Sequence, residues 1–323
     1  MHIEPSMIHP ELRKVGAIMR FLLPSFTERK FRLAKTGVEA LKGRSSGRVQ
    51  YEQLFVPRAD GSRLRLCIYS PHHKQDSVPG LLWLHGGGYA MGTPEQDEAF
   101  IERFIEASAC VVVAPDYRLS LDAPYPAALE DSYAALLWLR EHGETYGMRS
   151  DQLMVGGNSA GGGLGAGLCL HARDRGEVAI AYQILLYPML DDRMKLPSAR
   201  DNDGPVWNSK SNQLAWKLYL GNLYGREDVP IYAAPARSTD VSGLPPVCSY
   251  VGSLEPFHDE VVDYLDRLRT AGVPVSYRVY EGCYHGFDIV CPDASVSQEA
   301  RAFLLDRFRL AAEQNFAAQP QGK

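Results

Sequence analysis

The sequence predicts one doubly wound α/β domain, a mostly parallel eight-stranded sheet with helices on both faces, and two observations carry that prediction. Short β-rich runs at 49–56, 63–69, 80–85, 110–115, 152–156, 182–187, 247–252 and 275–280 alternate, from the third onward, with helix-like segments at 96–108, 127–142, 160–175, 258–271 and 297–313. Repetition of strand and helix is the pattern from which parallel sheets are wound. The later runs, such as Leu81-Leu82-Trp83-Leu84 and Cys110-Val111-Val112-Val113, are also continuously apolar, as strands covered on both faces must be. The first two runs instead alternate in character around Ala59-Asp60-Gly61-Ser62, which reads as a hairpin at a sheet edge.

Two stretches break the alternation: residues 1–45, and about 191–225, which holds Trp207, Trp216, Tyr219 and Tyr224. Both are expected to form a helical cap over the C-terminal edge of the sheet, where open α/β folds bind ligands. The chain thus divides into an N-terminal cap part at 1–45 and the main α/β domain at 46–323 carrying the cap insertion.

Composition narrows the function classes. With 45% hydrophobic and 23% charged residues, the 323-residue chain is an ordinary globular protein. A net charge of −5 leaves no basic footprint for a phosphate backbone, so nucleic-acid binding is not expected. The densest positive stretch, around Arg29, Lys30, Arg32, Lys35, Lys42 and Arg44, is interleaved with Glu28, Glu39 and apolar residues and reads as a solvated helix face. Six scattered cysteines without a C-x-x-C pair suit free thiols in a reducing compartment. The apolar run 15–23 is broken by Arg20 and followed by Pro24, unlike a secretory leader, and no run reaches the ~20 apolar residues of a membrane span. The expectation is a soluble, cytoplasmic protein without stable membrane association; a homodimer is compatible with these features.

Gly157-Asn158-Ser159-Ala160-Gly161 fits the G-x-S-x-G turn between a strand and a helix. The motif is weak alone, but here an apolar strand leads in and a small-residue helix leads out. Glycines on both sides leave room for a serine in a strained backbone conformation. His85-Gly86-Gly87-Gly88 follows the third strand directly. Three glycines let backbone N–H groups approach an oxyanion, so Gly87, Gly88 and Ala160 are the expected donors.

A serine hydroxyl needs a base, and His285, just past the last apolar strand, is placed to swing over the turn. The acid should follow the strand at 247–252, where Glu255, Asp259 and Glu260 compete. Glu255 precedes Pro256 and so sits in extended backbone at the strand end, the better place from which to reach an imidazole. Asp259 and Glu260 fall in the first turn of a helix, where carboxylates serve the dipole. Glu255 is the assignment and Asp259 the competitor. Tyr89, Trp207 and Trp216 are the expected walls of the substrate pocket.

These residues resemble the hormone-sensitive-lipase-like family of α/β-hydrolases, the branch with many bacterial carboxylesterases and a bacterial heroin esterase. The resemblance spans about 48–310 and rests on His85-Gly86-Gly87-Gly88, Asp116-Tyr117-Arg118-Leu119, Pro126-Ala127-Ala128, Asn158-Ser159-Ala160-Gly161-Gly162, Pro256 with Asp259-Glu260, and His285-Gly286-Phe287. It implies the α/β-hydrolase fold with a cap, a Ser159–His285–Glu255 triad acting through an acyl-enzyme, and neither metal nor organic cofactor. It also implies small-molecule ester substrates with short acyl groups, acetyl to butyryl. The chain departs from the family pattern at Asn158 and Glu255, where aspartate is usual. A non-catalytic ligand receptor, an amidase and a lipase are the competing readings; a lipase would need an exposed apolar or amphipathic entry surface, and the charges of residues 1–45 argue against one.

Overall fold

The eight β-rich runs pair into one sheet in the computed structural model, which describes residues 1–58 and 60–320. The strands are β1 (Gln50–Pro57), β2 (Arg63–Ser70), β3 (Val78–Leu84), β4 (Val111–Pro115), β5 (Met148–Asn158), β6 (Tyr182–Leu186), β7 (Val247–Gly252) and β8 (Val275–Tyr280), in the spatial order β1-β2-β4-β3-β5-β6-β7-β8. The first two pair antiparallel from Gln50 opposite Ser70 to Pro57 opposite Arg63, and β2 runs antiparallel to β4. Every later pair is parallel. At the hairpin, Arg58 N–H donates to Ser62 O at 2.8 Å; Ala59 of the expected turn lies outside the described residues. Every residue of β3 and β4 is buried, each large aliphatic side chain contributing roughly 1.5–3 kcal/mol.

The helices are α1 (Arg13–Leu22), α2 (Glu28–Glu39), α3 (Glu98–Ser108), α4 (Ala127–His142), α5 (Ala160–Arg175), α6 (Ser209–Leu220), α7 (His258–Thr270), α8 (Phe287–Val290) and α9 (Ser295–Gln314). Two of the boundaries that differ from the sequence expectation have long-range causes. The last helix starts at Ser295 rather than 297; its N–H and hydroxyl both donate to the Glu11 carboxylate at 2.6 Å, a partner 284 positions away. Strand β5 starts four residues early, where polar Arg149-Ser150-Asp151 hides a strand that Met148 begins by pairing with Val78. The third helix starts late because Pro94–Asp97 forms a 3₁₀ turn, which turns Asp97 in toward the sheet.

The helix after β5 lies unusually close to the strands. A Cβ on Gly161 would stand 2.0 Å from Leu84 O, so only glycine fits there. Over the C-terminal edge of the sheet, the N-terminal segment is stitched to the stretch before α6 and to that helix's first turn. Phe26 N–H donates to Ser211 Oγ at 2.9 Å, Asn208 Nδ2 to Pro24 O at 2.6 Å and Ile3 N–H to Asp203 Oδ1 at 2.7 Å. Phe26 stacks on Phe31 at 4.7 Å and packs against Trp207 at 5.7 Å.

Candidate active site

Four strand ends converge beneath this helical layer. His85 to Gly88 leave β3, Ser159 leaves β5, Glu255 lies three residues past β7 and His285 five past β8. Ser159 takes φ +56° and ψ −121°, a costly conformation for a residue with a Cβ, held because its N–H donates to Leu186 O at 2.9 Å while its carbonyl accepts from Gly163 and Met189 N–H. The turn lifts its hydroxyl clear of the sheet.

Ser159 Oγ lies 2.8 Å from His285 Nε2, and His285 Nδ1 lies 2.6 Å from Glu255 Oε2. The other carboxylate oxygen, Oε1, accepts Gly252 N–H at 2.6 Å. Glu255 is fully buried, so both oxygens are spent on fixed donors and the imidazole is held in one orientation. Phe257 and Tyr187 pack edge-on against its ring at 5.0 and 4.9 Å. Such a chain can draw a proton from a hydroxyl into a ring whose charge a carboxylate then balances.

The competing carboxylates go elsewhere. Asp259 accepts Ser198 N–H at 2.8 Å and faces His258 Nδ1 at 2.8 Å. Glu260, buried beneath the same helix start, accepts Leu190 N–H at 2.7 Å, and burial holds its carboxyl well above the usual range.

The glycine loop passes beside Ser159. Among the described residues, no hydrogen bond uses the N–H of Gly87, Gly88 or Ala160. Gly88 has φ +60°, and a Cβ there would stand 2.5 Å from the tip of the Trp207 ring. His85 braces the loop from below: its ring stacks on Tyr117 at 4.2 Å, and Tyr117 OH donates to His85 O at 2.7 Å. Burial pushes His85 down to about 4, so it is neutral at pH 7.

A carboxyl that sequence reasoning missed lies behind this loop. Asp97 is buried and accepts Trp83 Nε1–H and Asn158 Nδ2–H, each at 2.8 Å. Burial, partly offset by these bonds, pushes it up to about 7. The arrangement explains Asn158: its amide donates where an ionised aspartate would face a second carboxylate. Asp288 is a second missed acid; it accepts Tyr250 OH at 2.6 Å and Tyr187 OH at 3.3 Å behind the imidazole, and burial raises it. Neither position carries a local sequence signal, since each gains its partners only when distant strands meet.

Ser159, His285 and the loop glycines floor a cavity of about 260 Å³, whose walls include Met19, Leu23, Phe26, Val206 and Trp207 on one side and Tyr187, Ile289 and Val290 on another. Of the expected wall residues, Trp207 is therefore at the cavity, while Tyr89 and Trp216 are not. Tyr89 takes φ +58° and stacks on Tyr219 at 3.7 Å, with Trp216 6.1 Å away; both rings fill the packing beneath α6. Among the described residues, no cluster of three histidine, cysteine or acidic side chains could hold a metal, and no helix is long and apolar enough to cross a membrane.

A mostly parallel eight-stranded sheet that sets a serine on a tight strand–helix turn at its C-terminal edge defines the α/β-hydrolase class. Comparison with known proteins agrees: the profile described as alpha/beta hydrolase fold matches residues 81–289. The solved bacterial heroin esterase is 36% identical, with a TM-score of 0.86 over 95% of this chain and 98% of that one. Carboxylesterase NlhH of Mycobacterium tuberculosis is 28% identical over 312 residues, 90% of this chain and 94% of that protein. Ethyl acetate hydrolase of Pseudomonas putida is 29% identical over 238 residues, 72% of this chain and 74% of the relative. The chain belongs to the α/β-hydrolase family, in its hormone-sensitive-lipase-like branch, and is a carboxylic ester hydrolase.

Proposed function

We propose that the protein hydrolyses short-chain carboxylic esters, acetyl to butyryl, by acyl transfer through Ser159. The observation that carries this reading is the unbroken hydrogen-bonded chain Ser159–His285–Glu255, whose first two members lie on the cavity floor and whose third is buried behind them. His285 takes the proton of Ser159 as its oxygen attacks the ester carbonyl, then gives it to the departing alcohol. Water, deprotonated by the same imidazole, releases the acid. Glu255 keeps the proton of the resting imidazole on Nδ1 and balances the charge of the imidazolium. The N–H groups of Gly87, Gly88 and Ala160 receive the negative oxygen of the tetrahedral intermediate, each worth ~3–4 kcal/mol of transition-state stabilisation.

Two features support short acyl groups. The cavity, at about 260 Å³, is at the small end of ligand sites, which run ~300–1,000 Å³, and the Trp207 ring closes one wall above Gly88. A relative named for ethyl acetate hydrolysis points the same way. We read residues 1–45 and 191–225 as the cap that forms the cavity roof. A hydrolysis series over p-nitrophenyl esters tests the proposal: rates should peak between acetyl and butyryl, and a maximum at decanoyl would overturn the acyl-length reading.

A further inference from the structure

The surface around the cavity mouth has a feature that ester hydrolysis in solution does not use. Of the nine large apolar side chains exposed among the described residues, Ile18, Phe21, Leu22, Leu33 and Leu41 fall within residues 18–41. On α1, the exposed residues Lys14, Ala17, Ile18, Phe21 and Leu22 follow the i, i+3, i+4, i+7, i+8 spacing of one helix face. Phe21 is 85% and Leu22 63% exposed, while Met19 on the other side of the helix, and Leu23 just past its end, line the cavity. The helix is thus apolar on both faces, one roofing the site and one bare to solvent. On α2, Leu33 is 73% exposed beside Arg29 and Arg32.

The charge around these residues selects what covers them. Residues 13–44 contain nine basic and two acidic side chains, in a chain whose net charge is −5. Among the described residues, Lys14, Arg29 and Arg44 make no ion pair. A second copy docking by the same face would set this positive charge against itself. An anionic lipid surface satisfies both properties, since basic residues meet the head groups while Phe21, Leu22 and Leu33 enter the acyl boundary.

We propose that the α1–α2 face docks the enzyme, reversibly, on anionic lipid surfaces, and that its substrates include short-acyl esters of membrane-partitioned alcohols. This rests on the ester-hydrolase reading above: the small acyl group enters the cavity past Met19 and Leu23 while the lipophilic alcohol stays in the bilayer. The solvated face expected for this segment from its charges is then a docking face.

The test measures binding apart from catalysis. The full chain is cosedimented with vesicles of phosphatidylcholine alone, and with phosphatidylglycerol added, at low and high salt. Binding should require phosphatidylglycerol and weaken with salt. The Phe21→Ser/Leu22→Ser variant should bind at least about tenfold more weakly, and Lys14→Glu/Arg29→Glu by a similar factor. Both should keep kcat/KM for dissolved p-nitrophenyl acetate within about twofold, and both should lose activity on an acetyl ester of a long-chain alcohol embedded in the anionic vesicles. If the wild type hydrolyses the dissolved ester but does not sediment with anionic vesicles at low salt, the docking inference is overturned and the catalytic reading stands. If neither ester is hydrolysed, the catalytic reading itself falls. Dimerisation in ultracentrifugation that the Phe21/Leu22 variant abolishes, without vesicle binding, would make a second copy the occupant and also overturn it.

Discussion

Replacing Glu255 with glutamine keeps the side chain's size and removes the charge that, in the proposed triad, balances the imidazole. Glu255 is fully buried, with Gly252 N–H on one oxygen and His285 Nδ1 on the other, both at 2.6 Å. A primary amide has one acceptor oxygen and one donor nitrogen, so it satisfies only one of these partners. With its oxygen on Gly252, its NH₂ faces Nδ1 and drives the ring proton to Nε2, which then cannot accept the proton of Ser159. With its oxygen on His285, its NH₂ confronts Gly252 N–H, leaving buried donors unpaired at about 1–3 kcal/mol. By the precedent of the same carboxylate-to-amide change in a serine protease, kcat should fall by ~10³–10⁴, or ~4–5.5 kcal/mol of barrier, with KM little changed. The control is Asp259→Asn, which disturbs only the contacts with Ser198 and His258 and a helix N-terminal charge, ~0.3–1 kcal/mol of stability, and should leave kcat within roughly tenfold. Both variants are assayed at saturating p-nitrophenyl acetate after circular dichroism confirms folding. A large loss in Asp259→Asn with a small one in Glu255→Gln would refute the acid assignment while leaving Ser159 and His285 in place.

An organophosphate should add its phosphoryl group at Ser159, read by peptide mass, and chelators should leave the rate unchanged; a folded, inactivated enzyme unlabelled at Ser159 would remove the nucleophile. Trp207→Leu should open the wall above Gly88 and raise the hexanoyl-to-acetyl ratio of kcat/KM at least tenfold, since one methylene in an apolar pocket is worth ~1–3 kcal/mol; an unchanged ratio would show that another residue sets acyl length. The Asp97 carboxyl, raised to about 7, contributes stability that is complete below its unfolded value near ~3.9 and is lost as pH rises through about 7. Asp97→Asn removes that dependence, so urea titrations should show the variant gaining ~2–4 kcal/mol on the wild type between pH 4 and pH 8; a difference independent of pH would contradict the raised carboxyl. All six cysteines are buried, and burial pushes the Cys283 thiol up, so iodoacetamide should label none of them before the chain unfolds; prompt labelling of Cys283 would show that the loop carrying His285 opens.

The linear sequence determined those features that depend on local chemistry. Apolar runs buried on both faces marked the central strands, because side chains between two helix layers have no polar face to show. The Gly-x-Ser-x-Gly and His-Gly-Gly-Gly segments were legible because a strained turn and a close backbone approach demand small residues at fixed positions. Pro256 favoured Glu255 over Asp259 through an expected extended backbone, but the structure puts Glu255 in a turn past β7, where His258 N–H donates to its carbonyl at 3.2 Å. That turn, which no local pattern announced, sets its carboxylate 2.6 Å from the imidazole while Asp259 holds Ser198. The tertiary structure decided which face each side chain meets. Tyr89 and Trp216 carry the same aromatic signal as Trp207, yet a positive φ and the seating of α6 send them into packing and leave Trp207 at the cavity. Asp97 and Asn158 are 61 positions apart, and their bond exists only because the Pro94–Asp97 turn folds back onto the C-terminal end of β5. The α1 stripe shows the same limit: its periodicity marks a helix with apolar faces, but only the packed molecule shows that Met19 turns to the cavity and Phe21 to solvent.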